Sequence, residues 1–504
     1  MRITNKVMQN NALTNINRNK ELTDQLNTQL ATGKKILRPS EDPVVAIRAL
    51  RLASDVNDVN QYYKKNVPDA KSWLELTESA AKTSISVIKD LIEKCEKGSS
   101  DTLTTDDRKI IINAMKELKN EVYATGDADY AGRYIFTGYR TDTSLKFPEA
   151  TTQDYHITQK FNYMDVEEKS FISTGALGEI NEQNYENTGS ALASETDVQE
   201  TKYYRIQLAY DNLMDAGTGS LNVTDKAGAV TSFTTTTETD AEAAYAQAQT
   251  DDDAVIFVPS TGELVLGKNA YEQMKNVDNT ATFDYHKEKW EKGDLRPQHY
   301  FACETTDPIV GVIPYNEDYP TTGTLGQEIK YQVGFNQHIQ INSYPEEIFK
   351  HGIGRDVDEV VDLADKLTDI ENVVAKLEAM QKDEANYDTD QLANIGKDLD
   401  AAKKAQTYLR DQLQKTFSHY ITKMQGYLNS ANEALTTIGN RASRLELVEN
   451  RLEDQSTTFR TLQSENEDVD ETEVAVQLSS TQVSYQAALS ATADMIQKTL
   501  LDYL

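Results

Sequence analysis

The chain has 504 residues, which is long enough for two or three domains with apolar cores of their own. Its net charge of −31 repels nucleic acid and anionic lipid at long range, so neither nucleic acid nor a membrane is an expected partner. No apolar run comes near the roughly eighteen residues of a transmembrane helix. The two cysteines, Cys95 and Cys303, lie far apart and suggest neither a disulfide framework nor a zinc site.

The first residues carry no apolar core and no small-residue cleavage site of the kind found in secretory signal peptides. If the protein is exported, we therefore expect a route that does not use a cleavable signal. The acidic charge itself is typical of a solvated surface rather than of a ligand site.

A thin apolar stripe predicts an amphipathic helix near the N-terminus. Its members recur every three or four residues, which places them on one helical face, and Gly33 follows in a position typical of a helix end. Because the stripe is narrow and lies among asparagines, such a helix is marginal alone. We therefore expect residues 1–40 to be disordered in the monomer and to form an assembly helix with the candidate interface residues Ile16, Leu22, Leu26 and Leu30.

Residues 41–147 are predicted to form the N-terminal half of a helical shaft. After a proline turn, an apolar stripe with alternating steps of three and four residues indicates coiled-coil-like packing. Cys95 lies on this stripe, so we expect a buried free thiol there. Capping and helix-breaking residues divide this half into helices. Asp42 and Pro43 mark the start of the first helix, Pro68 interrupts the pattern, and Gly98 ends the helix that follows. A third helix is expected between Asp106 and Gly126.

The middle of the chain, residues 148–350, is predicted to be a β-rich inserted outer region. Residues 204–210 alternate between apolar and polar as in a strand, and apolar runs on either side of Ser260–Gly262 indicate a hairpin. A second hairpin is indicated within 329–341. Two stretches are predicted as loops: 231–239, which is Thr-rich, and 240–253, which is acidic and Ala-rich.

Residues 351–464 are predicted to form the C-terminal half of the shaft. One helix is expected from 357 to about 380, followed by a polar stretch at 383–400. An apolar stripe then runs through 413–462, and helical residues at 1.5 Å each would extend it over roughly 75 Å. A compact domain cannot bury so long a helix alone, so we expect a partner helix.

An acidic joint precedes a last amphipathic helix, and residues 465–504 are assigned as a C-terminal assembly helix. As for the N-terminal helix, packing between subunits is favoured over packing within one core, because the apolar stripe is thin. The candidate interface residues on its shared face are Leu478, Tyr485, Leu489, Ile496, Leu500 and Tyr503.

The order of these segments predicts an α+β fold: a long helical bundle or coiled coil from paired N- and C-terminal segments, with a β-rich inserted outer domain. The two helical halves are expected to pair with each other because neither finds another long partner in the chain.

No residue pattern points to catalysis, a metal ion or a cofactor, so we do not expect an enzyme. None of the six histidines belongs to a His-Glu-x-x-His motif or to a two-histidine metal spacing. Asp127, Asp129 and Gly132 begin like a calcium loop, but Ala131 and Gly138 occupy positions that would need ligands. A capped turn before a strand is the favoured interpretation.

Five segments resemble sequence elements of the flagellin superfamily, and within it of the hook-associated protein 3 family. Pro43 favours this family over filament flagellins, which usually have an Asp-Asp-Ala-Ala-Gly-like sequence at that point. One such element alone is weak evidence for the family, but five elements in the same order at both ends of the chain are strong evidence. The segments are Leu30–Lys35 with Pro39–Pro43, Gly132–Gly138, Ile438–Arg441 with Leu445 and Asn450–Arg451, Ser484–Leu489, and Leu500–Leu504.

The resemblance implies a structural subunit of the bacterial flagellum that joins the hook, through the first hook-associated protein, to the filament. The partners that it implies are further copies of the chain in a ring, the first hook-associated protein, flagellin, and an export chaperone on the C-terminal helix. It also implies export by the flagellar type III apparatus to an extracellular position. Two alternatives remain: a filament flagellin, and a secreted adhesin or binding module on a helical stalk.

Overall fold

The computed structural model describes residues 5–100, 103–187, 191–214, 219–307, 309–323 and 325–495. The chain divides into two compact units. The first unit contains Met1–Lys71, Tyr331–Ile339 and Ser443–Leu504, and the second contains Ser72–Lys330 and Gln340–Ala442. Both units therefore combine N-terminal and C-terminal segments of the chain.

Long α-helices dominate both ends of the described chain, and short ones accompany the strands. The α-helices are α1 (Asn5–Thr32), α2 (Pro43–Gln61), α3 (Val67–Gly98), α4 (Thr105–Thr125), α5 (Gln183–Asn187), α6 (Ala241–Thr250), α7 (Lys268–Met274), α8 (Tyr319–Thr322), α9 (His351–Gln381), α10 (Thr389–Glu467) and α11 (Glu471–Met495).

Local sequence explains where the first helices begin and end. Gly33 follows α1 with φ +69°, the left-handed conformation that glycine adopts at little cost. The Asp42 side chain accepts hydrogen bonds from the backbone N–H groups of Val44 and Val45, and so caps α2. Between α2 and α3 the backbone forms a π-helical turn over Tyr62–Asn66, which is the predicted interruption next to Pro68.

The β-strands of the described residues all lie between α4 and α9. They are β1 (Asp129–Tyr130), β2 (Arg133–Tyr134), β3 (Thr151–Asn162), β4 (Val166–Ser173), β5 (Gln199–Gln207), β6 (Ser220–Thr224), β7 (Val230–Thr237), β8 (Val255–Val258), β9 (Glu263–Leu266), β10 (Thr280–Trp290), β11 (Ala302–Asp307), β12 (Gly311–Tyr315), β13 (Lys330–Gly334) and β14 (Gln337–Gln340).

A ten-stranded sheet forms the middle of the second unit. Its strand order is β12-β11-β3-β10-β6-β7-β8-β9-β5-β4. Neighbouring strands are antiparallel except β7 and β8, which are parallel. The predicted hairpin around Ser260–Gly262 is confirmed as β8 and β9, and the one within 329–341 as β13 and β14.

Two predicted loops are wrong. The Thr-rich stretch contains strand β7, because threonine is β-branched and packs well on a pleated surface. The Ala-rich stretch contains helix α6, which Asp240 caps by accepting a hydrogen bond from the N–H of Glu242. Its residues Tyr245 and Ala248 pack into an apolar cluster with strands β5, β8 and β9. The predicted strand at 204–210 is confirmed only as far as Gln207, where β5 ends.

The polar stretch at 383–400, to which the sequence analysis assigned no secondary structure, lies partly in α10, which begins at Thr389. Ile395 and Leu399 are buried. Their burial was not evident from the sequence, because charged residues surround them. Asp398 is fully buried as well, and its carboxylate accepts hydrogen bonds from the Tyr185 hydroxyl and from the N–H of Ala193 at 2.7 Å. A buried carboxylate with several donors is tolerated within a helix.

N-terminal and C-terminal helices pair within each unit, so the predicted α+β fold with a bundle of paired ends is confirmed. In the first unit, α1 packs along α11, and Lys71 bonds Glu449 of α10 at 2.8 Å. In the second unit, α4 packs against α9, where Arg108 meets Glu371 at 2.5 Å with both side chains nearly buried. Cys95 is a buried free thiol, as predicted, and burial raises its pKa to about 12.

Candidate assembly surface

The predicted interface residues of α1 are divided by the structure between buried and exposed positions. Leu26 is buried at 4% exposure, and Ile16 is half-buried. Leu22 and Leu30 remain exposed. Packing against α11 thus covers only part of the apolar stripe that the sequence places on one face.

The predicted residues of α11 show the same division. Leu478 and Tyr485 are half-buried, whereas Leu489 is exposed. Ile496, Leu500 and Tyr503 lie outside the described residues. The assignment of all ten residues, four in the N-terminal helix and six in the C-terminal helix, to an assembly interface remains a prediction.

Helices α2 and α11 each carry a second apolar face that the sequence did not predict, because the prediction used only the longest apolar stripe of each helix. On α11, Val476 is 66% exposed and Val483 is 64% exposed, and their seven-residue spacing places them on one side. On α2, Val44, Ile47 and Leu50 are exposed, with Leu50 at 71%. Exposed apolar residues at helical spacing mark surfaces that a partner can cover.

The joints after α1 and before α11 are bound to each other. Lys35 donates its backbone N–H to the carbonyl oxygen of Glu467 at 2.7 Å, and Val469 donates to Gly33 at 3.0 Å. The Lys34 ammonium lies 2.6 Å from a carboxylate oxygen of Asp468, a hydrogen bond that raises the pKa of Lys34. Because this pair is exposed, we expect the backbone bonds to fix the joint more than the charges do.

A buried ionic cluster ties the sheet of the second unit to helices α9 and α10. At its centre Arg205 of β5 is 3% exposed and bonds Glu167 of β4 at 3.0 Å. The same guanidinium bonds Glu263 of β9 and Glu359 of α9. Lys423 of α10 completes the cluster, and its ammonium lies 2.6 Å from Glu167.

The electrostatics of this cluster follow from its pairing. Burial alone would raise the pKa of Glu167, but the charges of Arg205 and Lys423 hold the pKa of that carboxyl well below its usual range. Glu359 behaves alike, with its pKa lowered to about 2, chiefly by Arg205 against the effect of burial. Asp356 is fully buried, and burial raises its pKa to about 6 although Lys423 opposes the change.

A polar cleft of about 540 Å³ opens beside the cluster. Its walls carry both signs of charge, and its central cation, Arg205, is already paired with carboxylates. The arrangement therefore anchors the sheet to the helices rather than presenting an activated group. Within the described residues, no three His, Cys, Asp or Glu side chains converge as a preformed metal site.

The N-terminal quarter of the chain is similar to a known family. Residues 3–141 match the model of the bacterial flagellin N-terminal helical region. The match agrees with the resemblance to the flagellin superfamily that the sequence elements of this segment indicate. The matched segment comprises α1 to α4 and the β1–β2 hairpin. Of these elements, α1 packs along α11 and α4 packs against α9.

Two similar relatives are flagellar hook-associated proteins 3. The chain is 28% identical over 179 residues to the one from Salmonella typhimurium, covering 35% of this chain and 56% of that protein. It is 32% identical over 117 residues to the one from Escherichia coli, and this match covers 23% of this chain and 37% of that protein. The match thus spans about half or less of these relatives.

A solved structure of flagellar hook-associated protein 3 from Legionella pneumophila is also similar to the chain. It is 10% identical, and the match covers 82% of this chain and 98% of that one with a TM-score of 0.29.

The flagellin-like segment Gly132–Gly138 is mostly not a strand. Only Arg133 and Tyr134 pair, in a hairpin whose turn residues Ala131 and Gly132 have φ +53° and +77°. Ile135 and Phe136 continue as buried core. The capped turn predicted here is confirmed, since Gly132 donates its N–H to the Asp129 carboxylate at 3.2 Å.

No helix in the described part of the chain joins the length and the apolarity that crossing a membrane requires.

Proposed function

We propose that this chain is a structural subunit of the bacterial flagellum that joins the hook, through the first hook-associated protein, to the filament. The observation that carries the proposal is the flagellin N-terminal match over residues 3–141, together with two relatives that are hook-associated proteins 3. The paired terminal helices support it, because one copy of the chain leaves apolar faces of α2 and α11 uncovered.

The subunit assembles with further copies of itself in a ring and contacts the first hook-associated protein on one side and flagellin on the other. Ring closure requires two different surfaces on each copy, and the α2 face and the α11 face provide two separate candidates. An export chaperone holds the C-terminal helix before export, and the exported subunit resides in the extracellular flagellum. The role is structural and not enzymatic.

The test is deletion of the gene in its native bacterium, followed by electron microscopy of the cell surface. We expect hooks without filaments and flagellin released into the medium. A plasmid copy should restore filaments. Normal filaments on the deletion strain would show that the chain does not form the junction.

Substitutions on α11 test the assembly surface. The double variant V476D/V483D introduces two charges on the exposed apolar side and should fail to restore filaments. The matched variant V476L/V483L keeps that side apolar and should restore them. Equal restoration by both variants would place the contact elsewhere.

A filament flagellin is the second candidate, because the matched family model describes the N-terminal region of flagellins in general. Purified chain added to filament fragments distinguishes the two functions. A filament flagellin extends the fragments into long filaments, whereas a junction subunit leaves their length unchanged.

A further inference from the structure

Two histidines that lie far apart in the sequence face each other on the second unit's sheet. His156 of β3 and His286 of β10 are direct cross-strand partners. Their rings are parallel within 4°, with centroids 4.4 Å apart. The alternating neighbours Tyr155 and Tyr285 are buried, so both imidazoles project from the opposite, accessible side of the sheet.

Carboxylates stand at both ends of this pair. An oxygen of Asp154 lies 3.5 Å from Nδ1 of His286, and both side chains are partly exposed. On the next strand, Glu304 of β11 is the direct partner of His156 and is exposed. The sheet therefore aligns His286, His156 and Glu304 in one row across three strands.

The Asp154 contact favours one tautomer of His286. A carboxylate beside Nδ1 favours the proton on that nitrogen, which leaves the lone pair of Nε2 available. A carboxylate that orients a ligating imidazole through its other nitrogen is a recurrent feature of metal sites. This contact is independent of the stacking of the two rings and points to the same use.

We propose that His156 and His286 form a surface site for a late first-row divalent metal ion such as Zn²⁺. Imidazole nitrogens suit such ions, and zinc takes them at about 2.0–2.1 Å. Directly opposed cross-strand residues have Cβ atoms about 4.5–5.5 Å apart, which lets both rings reach one ion after a small rotation. Water completes the coordination, and the Glu304 carboxylate on the neighbouring strand adds negative charge beside the ion.

The site is bidentate and not preformed. No three His, Cys, Asp or Glu side chains of the described chain already converge, so the ion itself draws the exposed imidazoles together. Once bound, it links β3 to β10 in the ten-stranded sheet and stabilises the folded unit by mass action. This role does not depend on the proposed place of the chain in the flagellum.

The experiment is calorimetric titration of the full-length, metal-free chain with Zn²⁺ at neutral pH in a buffer that does not chelate. We expect one site whose affinity falls about tenfold or more in H156A and in H286A, because each removes one ligand. D154N should weaken binding by about tenfold through loss of the orienting carboxylate. His338, an exposed histidine outside the row, provides the control H338A, which should bind like the wild type.

Thermal unfolding adds a readout that shows whether each variant folds. Zn²⁺ should raise the Tm of the wild-type chain and leave that of the folded H156A/H286A variant unchanged, whereas Ca²⁺ should raise neither, since it prefers oxygen ligands. Zinc binding of equal strength in the double variant, or no zinc binding by the wild type, would overturn the proposal.

Discussion

At the Arg205 side chain, carboxylates from three different elements meet one buried guanidinium. Glu167 comes from β4, Glu263 from β9 and Glu359 from α9. None of the four is next to another in the sequence, and each alone looks like a solvated charge. Their burial is tolerated because the charges are paired and hydrogen-bonded, and losing one partner would leave the others uncompensated.

We predict that Arg205→Met destabilises the second unit by about 3–5 kcal/mol, because the buried cation that Glu167, Glu263 and Glu359 share would be lost. The measurement is urea unfolding of the full chain, followed by the fluorescence of Trp73 and Trp290, which are both buried in the second unit.

Lys202 provides a matched control on the same strand. Its ion pair with Glu168 is largely exposed, so Lys202→Met should change the unfolding midpoint little. Similar shifts for the two variants would contradict the stabilising role assigned to the buried cluster.

At the scale of elements, turns and caps were often fixed by local chemistry. Gly262, in the turn between β8 and β9, has φ +64°, and a Cβ there would lie 1.9 Å from the carbonyl oxygen of Tyr210. The sequence indicated the turn but not the close approach of the segment around Tyr210, which comes from elsewhere in the chain.

We predict that Gly262→Ala lowers the Tm markedly more than Gly132→Ala does. Both positions have positive φ, so both variants carry backbone strain of about 1–3 kcal/mol. Only at Gly262 does the new methyl group also meet backbone, whereas nothing lies within 4 Å at Gly132. Equal losses, measured by thermal unfolding of the two variants, would show that the segment around Tyr210 moves aside at no cost.

At the scale of the whole molecule, the terminal helices are the elements whose apolar faces a single chain covers least. They pair with each other in the first unit, yet residues such as Leu22 and Val476 stay exposed. Disorder of 1–40 and 465–504 in the monomer remains a prediction.

We predict that amide hydrogens of 1–40 and 465–504 exchange much faster than those of α9 in the purified monomer, and that they become protected after incorporation into an assembled flagellum. The physical reason is the small apolar area that holds these helices, against the fully buried stripe of α9. Hydrogen exchange with mass spectrometry measures both states. Protection of the terminal segments equal to that of α9 in the monomer would contradict the prediction.

The sequence by itself determined the helix boundaries at Gly33, Asp42 and Gly126, the burial of Cys95, and the pairing of the two helical halves. Caps and stripes act over a few residues, so local patterns report them directly. The same patterns wrongly predicted a loop at α6 and did not reveal the start of α10, because alanine-rich or charged segments become helices when packing covers a few scattered apolar residues.

Only the tertiary structure decided which side chains meet. It placed Arg205 among its carboxylates, set His156 opposite His286, and left Val476 rather than Leu478 on the outer side of α11. Periodicity shows that a helix or strand has an apolar face, but not which neighbour covers that face. Strand order and register bring distant residues together, and both depend on the whole set of contacts in the folded chain.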